Sequence, residues 1–208
     1  MSIYLDYAAD TPPDSRVIEC YAETARQQFA NPNAAHDAGR TARETIDAAL
    51  AEMSALLGVP AQTLILTSGA SEANNLAVKG IAHTRRRKGK HIVSTFLEHP
   101  SVSGALTFLQ EQGWEIDLVN ILPNGRVNLD NLRSLLREDT VLCAVCAVDS
   151  DLGTVQPISE IAEILQNFPN CKLHVDATQA IGKIPFSFIG ADTVSFAPHK
   201  FYGLKGCG

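Results

Sequence analysis

Apolar residues along this chain change period repeatedly, from the three-to-four spacing of a helix to the short continuous runs of a buried strand. Asp14 to Gln28 and Ala38 to Leu57 carry helical spacing; in the second, Ile46, Leu50, Met53, Ala55 and Leu57 form the apolar set and Gly58 is the stop. Leu64 to Thr67 reads as a strand, Ser71 to Arg87 as a helix, His91 to Ser94 as a strand, and Pro100 to Gln112 as a helix opened by proline. Glu115 to Val119, Val141 to Val148, Lys172 to Val175 and Thr193 to Phe196 follow as strands, with helices at Leu129 to Leu136 and Ile158 to Gln166. Ile3 to Tyr7 is a short extended entry. This alternation predicts an α/β fold, a doubly wound and mostly parallel sheet with helices on both faces. Ligands in such a sheet sit beyond the carboxyl ends of the strands, so those ends are where chemistry is sought.

Composition narrows the class without changing the fold. A chain of 208 residues with 45% hydrophobic and 19% charged residues is long enough for one α/β domain with a sizeable core. A net charge of -6 argues against nucleic acid or an acidic membrane surface as partner. The basic run Arg85 to Lys90 lies between a helix and a strand and reads as a solvated helix end, where cations suit the dipole. The N-terminus lacks the features of a signal peptide and no window reaches the roughly 20 apolar residues of a membrane span, so the cytoplasm is the expected location. Cys20, Cys143, Cys146, Cys171 and Cys207 are odd in number and read as reduced thiols. Cys143 and Cys146 alternate to opposite faces of one strand, with no second pair to complete a metal site, and read as small core residues.

Four strand ends carry candidate chemistry. Thr67-Ser68-Gly69-Ala70-Ser71-Glu72-Ala73 joins a strand to a helix start, where free backbone N–H groups and the helix dipole suit a phosphate, and where Ser68 or Ser71 also suits an N-cap. Glu98-His99-Pro100 sets a histidine just ahead of a helix. In His174-Val175-Asp176-Ala177-Thr178-Gln179, a carboxylate stands at the end of a buried strand and needs a partner there. A helix N-cap is the plainer reading of Asp176. Lys200 follows the strand Thr193 to Phe196 in a Pro198-His199-Lys200 turn with glycines beyond it, a setting in which a desolvated amine would capture an aldehyde.

The stretch Ser195 to Gly206, SFAPHKFYGLKG, resembles the lysine loop of the cysteine desulfurases, in the class V aminotransferase group of pyridoxal 5'-phosphate (PLP) enzymes. YLDYAADTPP (4–13), NPNAAHDAGR (31–40), LTSGASEANNLAVKG (66–80) and HVDATQAIGKIP (174–185) resemble the same family in the same order. The resemblance implies that Lys200 holds PLP as a Schiff base and that Ala70, Ser71 and His199 contact its phosphate. It further implies that Asp176 pairs with the pyridine nitrogen, that Gln179 bonds the phenolic oxygen, and that His99 stacks on the ring and moves a proton. Ser150 would stand near the substrate carboxylate. A negative charge beside the pyridine favours its protonated form, the electron sink of PLP chemistry.

The same resemblance implies L-cysteine as substrate, L-alanine as product, a sulfur acceptor or scaffold protein as partner, and a homodimer. Family members are longer, so residues 1–13 are expected to be a segment that joins a second domain, and 14–208 a PLP-binding large domain incomplete at its C-terminal end. The family's sulfur-accepting cysteine, substrate-binding arginine and a partner-subunit phosphate contact all lie beyond the matched region. Two positions depart from the pattern. Asp149-Ser150-Asp151-Leu152-Gly153 stands where the family carries Asn-Asn-Glu-x-Gly, adding a charge at Asp149, and Ala197 stands where a phosphate-contacting serine is common. These departures leave open a related class V lyase or aminotransferase, and a catalytically silent scaffold.

Overall fold

The computed structural model describes residues 3–208. Its centre is a five-stranded, wholly parallel sheet in the order β2-β1-β3-β4-β5. The strands are β1 (His91–Thr95), β2 (Glu115–Val119), β3 (Thr140–Cys146), β4 (Lys172–Asp176) and β5 (Thr193–Ser195). Every residue of β1 and β3 is buried, because both strands are covered on both faces, and their apolar runs are correspondingly continuous. The polar members of β1 are buried with partners. His91 meets Thr140 Oγ1 at 2.7 Å and Asp117 Oδ2 at 3.1 Å, and the Ser94 hydroxyl donates to the Ala144 carbonyl at 2.9 Å.

Strand alternation sends side chains into two cores. On one face, Ile92, Leu142 and Ala144 pack with Val78 and Ala82 of α3 (Ala70–Arg85) and with Val102, Ala105 and Leu109 of α4 (Pro100–Glu111). On the other, Val93, Cys143, Val145 and Val175 pack with Leu132 of α5 (Leu129–Leu135) and with Ile161, Ile164 and Leu165 of α6 (Ile158–Leu165). The chain enters the sheet at β1, winds one way to β2, then returns past β1 to continue through β3, β4 and β5. The reversal leaves a crevice at the carboxyl ends of β1 and β3, since the connections there leave toward opposite sides.

Two further helices, α1 (Ser15–Gln27) and α2 (Asp37–Leu57), precede α3 in the chain. In α2, Ile46, Leu50, Met53 and Leu57 follow one helical stripe and are half-buried, whereas Ala55, which the sequence placed with them, is off that stripe and exposed. Gly58 ends the helix at φ 67°, a left-handed conformation natural to glycine, and its N–H returns to the Ser54 carbonyl. The strand expected at Leu64 to Thr67 does not form. This segment shares only one reciprocal pair of backbone bonds, between Thr67 and Gly208 at 2.8 and 2.9 Å, and a ladder needs successive pairs. None of the described helices is long and apolar enough to cross a membrane.

Candidate active site

Beyond β5 the chain passes through buried Ala197 into the 3₁₀ turn Pro198–Lys200. The turn is closed by the Gly203 N–H on the Pro198 carbonyl at 2.8 Å, and a side chain at Gly203 would bring its Cβ to 2.3 Å from Pro198 Cβ. A segment 190 residues away fastens the loop. The Thr11 N–H and hydroxyl both donate to the His199 carbonyl, at 3.0 and 2.9 Å, and the Tyr202 N–H donates to Thr11 Oγ1 at 2.6 Å. Lys200 Nζ donates to the carbonyls of Ala8 and Ala9 at 3.0 and 2.7 Å. The amine is therefore half-buried and hydrogen-bonded, not desolvated as the sequence suggested. Gln179 joins the same segment, its Nε2 donating to Ala8 O at 2.9 Å while its Oε1 accepts from Lys183 at 2.5 Å. Burial and the charge of Lys200 both lower the pKa of Lys183 and of His199.

Asp176 ends β4 and is buried. Its Oδ1 accepts the Thr178 N–H at 3.0 Å, closing a turn and not the helix start that the sequence suggested, and its Oδ2 accepts from Asn74 Nδ2 at 2.8 Å. A buried carboxylate needs such donors, and Asn74 on α3 is the partner that the sequence reading missed. Its only signal was position, one helical turn past Ala70 on the face that meets the sheet.

Helix α3 begins at Gly69, whose φ of 153° belongs to glycine, and no side chain caps this start. Ser68 is engaged elsewhere, its N–H and hydroxyl both donating to Glu72 Oε2 at 2.6 and 2.7 Å. The first amides of α3 are thus left as free backbone donors with Ser71 beside them, an arrangement that suits an anion. His99 caps α4; its Nδ1 accepts the Ser101 N–H at 3.1 Å, which leaves the ring proton on Nε2.

Ala70, Ser71, His99, Ser150, Asp176, Gln179, His199 and Lys200 all line one cavity of about 540 Å³, of the size that holds small-molecule ligands. Asp149, the charge that the sequence reading set near a substrate, turns away from it. Its carboxylate accepts the N–H groups of Asp151 and Leu152 at 3.1 and 2.5 Å, and it is Ser150 and Asp151 that face the space. Cys143 is a core thiol; Cys146 is buried as well, but it is also one of the residues that line the cavity. Burial raises both thiol pKa values, and Glu98 adds to the effect. The donor set fits PLP: an uncapped helix start suits its phosphate, and a buried carboxylate and a lysine amine line the same cavity. Thr178 Oγ1, buried without a hydrogen-bond partner on a residue that also lines the cavity, is a polar atom with capacity for a ligand.

Glu98 lies behind this cavity. Its Oε1 accepts from the Thr95 hydroxyl at 2.7 Å and the Cys146 N–H at 2.9 Å, while Oε2 has no partner. Burial pushes its pKa up to about 8, so the folded protein holds a proton that the unfolded chain gives up near the ordinary glutamate value. The folded state therefore binds more protons between those limits, and stability falls as pH rises from about 5 to about 8. Glu98→Gln keeps the shape and removes the titration. The melting temperature of the variant is expected to decline less from pH 5 to pH 9 than that of the wild type, a difference on the order of a few kcal/mol in stability by pH 9. Parallel melting curves across that range would reject the assignment.

The aminotransferase class-V family model matches residues 3–208. The cysteine desulfurase IscS of Dictyoglomus turgidum is 37% identical over 208 residues, which cover 99% of this chain and 52% of that protein. A solved NifS-like protein superposes with a TM-score of 0.96 at 34% identity, covering 100% of this chain and 58% of that one. A solved structure of SspA in complex with cysteine superposes at 0.93 with 32% identity, covering 100% and 60%. The chain spans about half the length of the curated relatives it matches.

Proposed function

The chain belongs to the aminotransferase class-V family, and from that premise we propose that it is the cofactor-binding part of a PLP-dependent cysteine desulfurase. One observation carries the reading. The lysine, the buried carboxylate, the histidine and the open helix start come from four separate connections and meet on the walls of a single cavity. The relatives supply the substrate class: several are named cysteine desulfurases, and one structural neighbour is bound to cysteine.

In this reading the amides of Ala70 and Ser71, with His199, would hold the phosphate, and Lys200 Nζ would be the amine for the aldehyde. Asp176 would hold the ring nitrogen and Gln179 the phenolic oxygen. When bound, PLP supplies an electron sink for the pair left by a proton lost from the substrate's α carbon. His99, with its proton fixed on Nε2, and Lys200 are the groups that move protons at the cavity wall. Ser150 bounds the space for the substrate carboxylate. The net reaction breaks the C–S bond of L-cysteine and forms an S–S bond on an acceptor thiol, giving L-alanine and a persulfide. An acceptor or scaffold protein and a homodimer belong to the same proposal, supported by large exposed apolar side chains such as Phe29, Leu56, Ile65 and Leu66.

The intact protein, supplied with PLP, a thiol and a panel of amino acids, tests this directly. Alanine released from cysteine in step with persulfide or sulfide is the expected result. Preference for cysteine sulfinate, selenocysteine or a transamination partner would replace cysteine by that substrate. The absence of both turnover and a reducible PLP adduct would leave the silent scaffold that Ser150 and Ala197 suggest.

A further inference from the structure

Asn74 is fully buried on α3 and uses all four of its hydrogen-bonding positions. Its Oδ1 accepts from His174 Nε2 at 3.0 Å and from the Ser195 hydroxyl. Its Nδ2 donates to Asp176 Oδ2 at 2.8 Å and to Ser101 Oγ at 2.9 Å. The orientation of the amide is not free. An ionised carboxylate only accepts, so the NH2 must face Asp176, and the carbonyl must then face His174 and Ser195. His174 agrees with that choice. Burial lowers its pKa and keeps the ring neutral, although the charge of Asp176 works the other way. With its proton on Nε2, its Nδ1 accepts from the Thr193 hydroxyl at 2.9 Å. Three elements therefore lock one amide: α3 carries it, β4 presents His174, and β5 presents Thr193 and Ser195.

Two cavity walls depend on it. Asp176 lines the cavity, and so do Ser101 and His99, whose Nδ1 stands 2.8 Å from the Ser101 hydroxyl. Asn74 itself lies behind them. We propose that Asn74 is the positioning residue of this site, a buried amide locked by His174 and Ser195 so that its NH2 holds the Asp176 carboxylate and the Ser101 hydroxyl in fixed relation. The assignment rests on the reading of the cavity as a PLP site, and it goes beyond it by naming what aims the carboxylate.

The test has two parts, one of which needs no cofactor. In the cofactor-free protein with ¹⁵N-labelled histidine, two-bond ¹H–¹⁵N correlation reads the His174 tautomer. Nε2–H is expected, and Nδ1–H would overturn the proposal whether or not PLP binds. In the intact protein loaded with ring-¹⁵N PLP, Asn74→Ala is expected to shift the ring-nitrogen resonance and to weaken PLP binding about ten- to a hundredfold, the usual cost of removing a supporting partner. A purely structural asparagine would lower the melting temperature and leave that resonance in place. An unchanged resonance with affinity within twofold of wild type overturns the proposal. Should Asn74→Ala fail to fold, Asn74→Leu keeps the volume and removes both NH2 donations without adding a second carboxyl beside Asp176. The same shift is then expected, and its absence is equally decisive. A wild-type protein that binds no PLP at all refutes the cavity's assignment while leaving the histidine measurement to judge the amide.

Discussion

Replacing Lys200 by alanine is expected to abolish the covalent attachment of PLP and to lower turnover by at least about 10⁴, because no other group in the cavity supplies a nucleophilic amine. Lys200 is the lysine that lines the cavity among the described residues. Lys183 stands nearby, bound to Gln179, and its pKa is lowered by burial and by Lys200, so it is the natural competitor. Borohydride reduction followed by peptide mass mapping separates the two. The modification should fall on residue 200 in the wild type and vanish in Lys200→Ala, while Lys183→Ala retains it. A reduced adduct mapped to Lys183 would move the chemistry to that residue. Folding should survive, since among the described residues Lys200 Nζ donates to two carbonyls of an exposed segment.

The second large effect is expected at Asp176. Asp176→Asn preserves volume but removes the charge that would face a ring nitrogen, and losing one such electrostatic partner costs roughly 10²–10³ in turnover. The local hydrogen bonds sharpen the loss. An asparagine can still accept the Thr178 N–H through its oxygen, but it then turns its NH2 toward the NH2 of Asn74, two donors facing each other. Weaker PLP binding and lower kcat should appear together, measured by cofactor titration and by alanine release. Turnover within tenfold of the wild type would show that Asp176 serves only the turn at Thr178.

The fold was legible because its signals are local. A parallel strand covered on both faces must be apolar throughout, as β3 is, and Pro100 and Gly58 mark helix ends by backbone conformation alone. Leu64 to Thr67 has the composition of a strand but no neighbour offering successive backbone pairs, and composition does not report neighbours. The gathering of eight candidate residues into one cavity was legible through motif order and through the rule that sites lie at strand ends. Their support was not. Asn74, Ser101 and Ser195 are common residue types, and what they do follows from the crossing of α3 over the ends of β4 and β5. The orphan oxygen of Glu98 was invisible for a similar reason. A glutamate beside a conspicuous histidine reads as solvated until β3 is known to close over it.

The strap of residues 6–14 across the lysine loop also bears on the order of events in folding. Its hydrogen bonds to Lys200 and to the His199 carbonyl join positions 188 to 192 residues apart, whereas β1 through β4 are linked by successive connections a few tens of residues long. Closing the longer loops costs more chain entropy, and contacts of high sequence separation tend to come late. The sheet can therefore consolidate while Lys200 is still untethered, and the ribosome must deliver residue 199 before Thr11 has anything to bind. Tethering of Lys200 is therefore expected to follow the pairing of β1 through β4, so that this wall of the cavity closes after the sheet beneath it has formed.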